Sequence, residues 1–195
     1  MEFDWRDFLE QFSQSLLDDD TIRAQQSQET LNSKWLGFPA ASIQEINSVE
    51  DRLGVSLPPS YRQFLQTSNG WRNSGAFIDR VWSTTEIVWF KERHKTWIDA
   101  YTGPGPIQPT VSDQDYFVYG AQQDPITLRV EYLQTALAIS EVGDSCIYLL
   151  NPKVVTEGGE WEAWFFANWL PGAARYRSFQ ELMEAEYRDF LSLSK

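Results

Sequence analysis

The sequence predicts a single α+β domain, because helical patterns fill its first half, strand patterns fill most of its second half, and one more helix closes it. Helices that precede the strands without regular alternation separate this class from the α/β folds. We expect a mostly antiparallel or mixed sheet of about five to six strands packed against helices, with a helical extension at the N-terminus. The 195 residues, 42% of them hydrophobic, suffice for one large core.

The N-terminal extension is predicted from an amphipathic pattern. Within residues 4–17, apolar side chains recur at helical spacing on one face: Trp5, Phe8, Leu9, Phe12 and Leu16. Residues 21–32 are polar and weakly periodic, and they predict a second helix. Residues 1–39 are therefore assigned to a helical extension that packs on a domain formed by residues 40–195.

Capping boxes at residues 42–45, 83–86 and 178–181 predict the starts of three further helices. The first covers residues 43–53, and its core-facing side chains are expected to be Ile43, Ile46, Val49 and Leu53. The second reaches about residue 101. The third is the C-terminal helix, whose apolar face is expected to carry Phe179, Leu182, Met183, Phe190 and Leu191.

The helix over residues 43–53 belongs to a predicted helical hairpin. Gly54 suits the left-handed residue that follows a helix, and Leu57-Pro58-Pro59 is extended because a residue before proline avoids the α region. Ser60 is expected to cap a second short helix, which carries Tyr61, Phe64 and Leu65. Asn69-Gly70 ends this helix because glycine accepts a positive φ angle.

Strands are predicted wherever β-branched and aromatic residues run together: residues 77–82, 116–119, 126–133, 136–140, 146–150 and 161–166. A hairpin turn at residues 141–144 and a longer connection at residues 151–159 indicate that neighbouring strands are antiparallel. Residues 102–115 contain three prolines, which lack the amide donor that a helix needs. This segment is predicted to be a loop or an insertion.

Charge and hydropathy exclude several classes of protein. The chain carries 28 Asp and Glu against 16 Lys and Arg, and its net charge of −12 repels a phosphate backbone, so we expect no nucleic-acid binding. No apolar run approaches the roughly 18 residues of a membrane span. The acidic N-terminus, Met1-Glu2-Phe3-Asp4, differs from the basic start of a secretory signal. We expect a cytoplasmic protein without a membrane segment.

The residue types that catalysis and metal binding require are scarce. The single cysteine, Cys146, permits no intrachain disulfide, and the single histidine, His94, leaves little for a His or Cys metal site or a catalytic triad. Residues 143–146 are similar to the nucleophile block of certain serine esterases, but those enzymes need a histidine further along the chain. We expect no catalytic residue, no metal and no cofactor.

Two segments hold the acidic excess. Residues 1–20 carry seven acids and one base, and residues 113–162 carry nine acids and two bases. These segments are either solvated faces that keep the protein in solution or an interface for a basic partner. Paired acids, such as Asp113 with Asp115, serve catalysis or metal binding only when they share a face, and they also arise by chance in an acidic chain.

Residues 42–71 combine a helix, a Leu-Pro step, a second helix and an Asn-Gly turn, and this combination resembles the N-terminal signature of the SUKH superfamily. The residues that carry it are Ile43, Ile46, Glu50, Leu53, Gly54, Leu57, Pro58, Tyr61, Phe64, Leu65, Asn69 and Gly70. The resemblance continues at Gly143-Asp144, in the strand over residues 161–165 and at Ser178-Phe179. The superfamily includes fungal Smi/Knr-type cell-wall synthesis regulators and bacterial toxin-immunity proteins.

The resemblance implies an α+β domain without catalytic residues, whose bacterial members bind and neutralise a cognate toxin, frequently a nuclease. A nuclease that grips phosphates is basic, and an acidic protein suits it as a partner. The predicted function is therefore a non-enzymatic immunity protein, monomeric or weakly dimeric, that binds a basic toxin domain. The alternative is a regulatory scaffold or adaptor that binds several endogenous proteins.

The resemblance also implies which residues are structural and leaves the binding surface to the acidic segment. Structural roles are expected for Glu50, Gly54, Leu57, Pro58, Tyr61, Phe64, Asn69 and Gly70. Partner binding is expected from acidic residues and from an aromatic residue beside the Asn-Gly turn: Trp71, Asp113, Asp115, Asp124, Glu160 and Glu162.

Overall fold

The structure is a computed structural model that describes residues 3–103, 111–170 and 172–193. Within these ranges, helices pack around a five-stranded antiparallel sheet, and a separate two-stranded sheet lies outside it. The predicted α+β class is confirmed. Seven residues of the predicted loop, residues 104–110, lie outside the described ranges.

The helices are α1 (Trp5–Asp18), α2 (Asp20–Ala24), α3 (Gln28–Ser33), α4 (Ile43–Leu53), α5 (Pro59–Thr67), α6 (Phe90–Arg93), α7 (Lys95–Thr102), α8 (Asp113–Tyr116) and α9 (Phe179–Leu193). The strands are β1 (Trp71–Arg72), β2 (Arg80–Val81), β3 (Val88–Trp89), β4 (Leu137–Ala138), β5 (Cys146–Val155), β6 (Trp161–Ala167) and β7 (Ala173–Tyr176). Strands β1 and β2 pair with each other, and the main sheet has the order β3-β4-β5-β6-β7.

Both faces of the main sheet are covered, which explains why every residue of β6 is buried. Successive side chains of a strand point to opposite faces. Phe166 contacts Trp97 and Tyr101 of α7, with ring centroids 5.6 and 5.1 Å apart. Phe165 lies on the other face, where it neighbours Tyr148 of β5 at 6.1 Å. Helices α6 and α7 therefore cover one face, and α9 covers the other.

Helix α1 packs its predicted apolar face onto α5 and α9. Trp5 lies 5.5 Å from Phe64 and 5.6 Å from Phe179 between ring centroids. The hydroxyl groups of Ser15 and Tyr187 are 2.9 Å apart and hydrogen bonded. The N-terminal residues therefore share one hydrophobic core with the sheet domain. The predicted second helix over residues 21–32 is divided into α2 and α3.

The helical hairpin has the predicted boundaries with two differences. The Ser42 and Glu45 capping box is present, and Gly54 is left-handed at φ +70°. Ile43, expected in the core, is exposed because the first side chain of a helix points back beyond the helix end. Ser60 does not cap α5, because the helix begins at Pro59, two residues before the predicted start. The fixed φ angle of Pro59 suits a first turn.

The predicted helix from residue 83 to about residue 101 is wrong in its first part. One capping-box bond forms, with the Ser83 backbone N–H donating to the Glu86 carboxylate at 3.1 Å. The same carboxylate binds Arg80 at 2.6 Å, and the chain then enters β3, where Val88 pairs with Ala138. Pairing with β4 overrides the helical start signal, and helix resumes only at α6 and α7.

Two predicted strands are also wrong, and three strands were missed, namely β1, β3 and β7. Residues 116–119 end the short helix α8, and residues 126–133 lead into a 3₁₀ helix at Val130–Gln134. Tyr116 and Tyr119 hydrogen bond to Glu162 of β6 but are not part of the sheet. Strand propensity measures fit to a sheet surface as well as pairing. Strand β7 was missed because Ala173–Tyr176 contains two alanines and an arginine. The predicted strand over residues 77–82 shortens to β2.

Candidate functional site

Glu162, predicted to bind a partner, lies at the centre of a closed polar cluster. It is 0% exposed on β6. Its carboxylate accepts hydrogen bonds from the Tyr116 hydroxyl at 2.7 Å, the Tyr119 hydroxyl at 2.8 Å, the Trp164 indole at 2.7 Å and the Asn151 amide at 3.0 Å. A carboxylate surrounded by four donors has no site left for a partner. The prediction for Glu162 is therefore wrong.

Arg175 of β7 completes this cluster. Its guanidinium lies 3.5 Å from the Glu162 carboxylate and 4.1 Å from the centre of the Tyr116 ring. The side-chain amide of Gln123 accepts from the Arg175 backbone N–H at 2.6 Å and donates to its carbonyl at 2.7 Å. Gln123 thus satisfies the backbone groups of an edge strand. The cluster fastens residues 113–123 to the sheet and is structural.

Trp71, expected at an exposed position, is 0% exposed. Its ring lies 5.3 Å from the ring of Trp35 and 6.1 Å from that of Phe12. Both neighbours belong to the N-terminal extension, which covers the surface beside the Asn-Gly turn. The prediction for Trp71 is wrong because it did not account for this cover.

The remaining predicted binding residues divide into one structural residue and three at the surface. Glu160 is partly buried and accepts from the Ser60 backbone N–H at 2.8 Å and from its hydroxyl at 2.6 Å, so it caps the start of α5. Asp113 and Asp115 are exposed in the first turn of α8, where Asp113 bonds to Arg129. Asp124 is exposed in a turn.

The signature residues hold the hairpin together. The Glu50 carboxylate accepts from the Leu57 backbone N–H at 2.8 Å across the turn. The Asn69 side chain accepts from the Thr84 backbone N–H at 2.8 Å. Tyr61 and Phe64 are fully buried. These contacts are internal to the fold.

A groove of about 390 Å³ opens between the C-terminal half of α9 and the ends of β6 and β7. Its walls are largely apolar and include Phe165, Ala174, Phe190 and Leu193. Pro125, directly after the exposed Asp124, also lines it. Its size falls within the range of ligand pockets, about 300–1,000 Å³. Its lining also contains three titratable groups, Glu186, Asp189 and Tyr176.

Glu186 lines this groove and is only 8% exposed. The Tyr148 hydroxyl donates a hydrogen bond to it, but burial, together with the charge of Asp189, raises the pKa of Glu186 to about 7. A methyl group on Gly75 would lie 2.1 Å from the Glu186 carboxylate, so any larger residue at position 75 would displace this carboxylate. No lysine or arginine in the described ranges forms an ion pair with Glu186.

Exposed apolar side chains surround the groove. Phe77 lines it and is 40% exposed, and its ring lies 5.5 Å from that of Trp169, which is 51% exposed. Ile126 follows the lining residue Pro125, and Leu193 lines the groove at the end of α9. A cluster of exposed apolar side chains of this kind is typical of an interaction surface.

Sequence reasoning missed the groove, although one signal for it was present. Glu186 stands three residues after Met183 and four before Phe190, on the helical face that carries the core residues of α9. An acidic residue on an apolar helical face indicates either a buried partner or a site. No such signal marks Ala174 or Pro125, because their position at the groove depends on tertiary packing.

The described residues show no arrangement typical of metal binding. They contain no group of three or more His, Cys, Asp or Glu residues placed to hold a metal. Burial, with Glu186 and Asp144 nearby, raises the pKa of Cys146 to about 12, so its thiol is a poor nucleophile. None of the helices within the described ranges combines the length and apolarity needed to cross a bilayer.

Comparison with known proteins places this fold in a family. The profile described as SMI1 / KNR4 family (SUKH-1) matches residues 40–190, which include the hairpin, the main sheet and most of α9. A search of curated proteins finds no match. Domains of this family generally mediate protein–protein interaction. The match covers most of the 195 residues and confirms the resemblance seen in the sequence, so the chain belongs to the SMI1/KNR4 family (SUKH-1).

Proposed function

We propose that this domain is a non-enzymatic immunity protein that binds a basic toxin domain and blocks its active cleft. The observation that carries the proposal is the set of exposed carboxylates on the segment covering β6 and β7: Asp113, Asp115 and Asp124. They belong to a chain with a net charge of −12. The family supports protein binding in general, and the charge supports a basic partner.

The physical basis is electrostatic steering followed by steric occlusion. A cleft that grips phosphates attracts negative charge, so an acidic protein associates with it faster than a neutral one and covers it. Such binding needs no reaction at the immunity protein, and we infer that the domain has no turnover of its own. The proposal places it in the cytoplasm, as a monomer or weak dimer.

A survival assay tests the proposal. If a toxic domain is encoded beside this gene, it is expressed in a bacterial host with and without the protein. Co-expression is expected to restore growth and to allow the two proteins to be purified together. A complex that forms at low salt and weakens as salt rises supports the electrostatic mechanism. Failure to rescue, with several endogenous proteins captured from the source cell, would favour the scaffold alternative.

Charge reversal tests which acids steer the partner. Asp115→Lys and Asp124→Lys are each expected to slow association about two- to tenfold at low salt and to weaken its salt dependence. Asp51→Lys is the matched control, because it makes the same charge change at an exposed position on α4. Equal effects of all three substitutions would show that net charge acts without a defined acidic surface.

A further inference from the structure

The groove between α9 and the ends of β6 and β7 contains a buried carboxylate that has no cation beside it among the described residues. Its walls are largely apolar, yet one of them contains the nearly buried carboxylate of Glu186. Within the described chain this carboxylate has a tyrosine hydroxyl as hydrogen-bond donor and a second carboxylate, Asp189, nearby. Burying an acidic group without a cation is costly, and burial accordingly disfavours its charged form.

We propose that this groove seats an apolar side chain of the protein partner that is followed by a lysine or arginine, whose cation pairs with Glu186 and Asp189. The proposal deepens the proposed function and rests on it in one respect, that the partner is a basic protein. It names the surface that the partner occupies and the short sequence that the partner presents there. The exposed acids of residues 113–124 would then steer the partner, and the groove would anchor it.

The shape and chemistry of the walls support an apolar anchor. Phe165 lines the groove on the side of the sheet, and Phe190 lines it on the side of α9. Ala174 also lines the groove, and its small side chain leaves space open. A space of about 390 Å³ accommodates one large side chain and the start of its neighbour. Burial of a single aromatic or aliphatic anchor in such a pocket commonly dominates the affinity of an interface.

The charges around the groove support a cation beside that anchor. Glu186, Asp189 and Tyr176 line the groove together, and both carboxylates raise the pKa of the Tyr176 phenol. Arg188 acts on Tyr176 in the opposite sense from the exposed side of α9. Among the described residues that line the groove, two are acidic and none is basic, so a partner cation would find complementary charge.

The surroundings of the groove make it accessible to a protein. Phe77 and Trp169 extend the apolar surface beyond the rim, and the Trp169 ring is held by a hydrogen bond from its indole to the Asp144 carbonyl at 2.9 Å. Asp124 precedes Pro125 of the lining, so the acidic surface and the groove are adjacent along the chain. An apolar centre with a charged rim is the usual anatomy of a protein interface.

Binding of short peptides tests the proposal without the natural partner. The probe is N-acetyl-Trp-Lys-amide, titrated into ¹⁵N-labelled full-length protein and followed by amide chemical shifts. We expect saturable shifts at the groove with a dissociation constant of about 1 mM, as for a small fragment. N-acetyl-Trp-Glu-amide and N-acetyl-Gly-Lys-amide are each expected to bind at least about fivefold more weakly. Equal binding of the three peptides, or shifts elsewhere, would overturn the proposal.

Substitutions test whether the peptide binds through the two carboxylates and the apolar space of the groove. Glu186→Gln and Asp189→Asn are each expected to weaken the binding of N-acetyl-Trp-Lys-amide by about threefold or more. Glu184→Gln makes the same change on α9 outside the groove lining and should leave the binding unchanged. Ala174→Trp fills the groove and should abolish binding, with its amide spectrum showing whether the fold is retained. If Glu186→Gln has no effect although the fold is retained, the proposed cation contact is wrong.

Failure of this proposal is distinguishable from failure of the proposed function. If the toxic domain binds but Ala174→Trp and Glu186→Gln leave its affinity unchanged, the groove is not the interface while the immunity role stands. If the peptide binds in the groove but no toxic domain is neutralised, the groove assignment stands and the immunity role fails. A concentration-dependent dimer that Ala174→Trp abolishes in sedimentation velocity would show a second copy in the groove and overturn the proposal.

Discussion

Two buried glutamates lie on opposite faces of the same sheet and differ in how their charge is satisfied. Glu162 accepts four hydrogen bonds of 2.7–3.0 Å and lies beside an arginine, in a cluster closed to solvent. Glu186, projecting from α9, has the Tyr148 hydroxyl as its donor and an open groove in front of it. The first carboxylate is saturated by its own fold, and the second is not.

This difference separates a structural acid from a functional one. A buried charge that the fold compensates fully stabilises one arrangement of the elements around it, whereas one that is left short of donors lowers stability. Natural proteins retain such a cost mainly where a site requires it. The contrast therefore favours the groove, and not the Glu162 cluster, as the place where a second molecule binds.

The largest expected effect comes from removing the carboxylate that accepts the four hydrogen bonds, Glu162. Glu162→Gln removes the negative charge beside Arg175 and places an amide N–H₂ among groups that are themselves donors. We expect a loss of about 3–5 kcal/mol in the free energy of unfolding, measured by urea denaturation. A loss below about 1 kcal/mol would show that the cluster does not hold residues 113–123 to the sheet.

The sequence predicted elements whose signals are local and missed those that depend on packing. The α4 and α5 hairpin and Gly54 followed from caps, prolines and glycines, which act over a few residues. The place of Trp71 could not be predicted, because the residues that bury it, Phe12 and Trp35, lie far away in the chain. Tyr116 was wrongly assigned to a strand because its hydrogen-bond partner, Glu162, also lies far away in the chain.

The second prediction uses the pH dependence of Glu186. Burial raises its pKa from an ordinary 4.5 to about 7, with Asp189 adding to the rise and Tyr148 opposing it. The folded state therefore binds a proton more tightly than the unfolded state. The stability that the folded protein gains from protonated Glu186 is fully present below pH 4.5. It is lost as the pH rises through 7.

Glutamine does not titrate, so replacing Glu186 by glutamine removes the loss of stability at high pH. We expect Glu186→Gln to raise the free energy of unfolding at pH 8 by about 3 kcal/mol, while at pH 5 the variant and the natural protein differ little. The other titratable groups near it, Tyr148, Tyr176, Cys146 and Asp189, remain in both proteins. Urea titrations across this range measure the difference, and a constant offset at all pH values would contradict the assigned cause.

A smaller effect is expected at the glycine that lets Glu186 approach the backbone. A Cβ atom at residue 75 would lie 2.1 Å from the Glu186 carboxylate and 3.1 Å from the Tyr148 hydroxyl. Gly75→Ala is expected to cost about 1–3 kcal/mol, because the carboxylate must move from its donor. In combination with Glu186→Ala the cost should largely disappear, and a double-mutant cycle measures this coupling. Additive effects would show that the two residues do not interact.

The smallest effect is expected at the exposed acids, which tests whether burial alone distinguishes the carboxylates of this chain. Asp124→Asn removes a charge at an exposed turn, where the side chain accepts one backbone hydrogen bond at 3.0 Å, from Ile126, that asparagine also accepts. The free energy of unfolding should change by no more than about 0.5 kcal/mol. Association with the toxic domain should nevertheless slow at low salt, because the charge acts through the solvent on an approaching partner. A variant that loses stability without a change in association would make Asp124 a structural residue like Glu162.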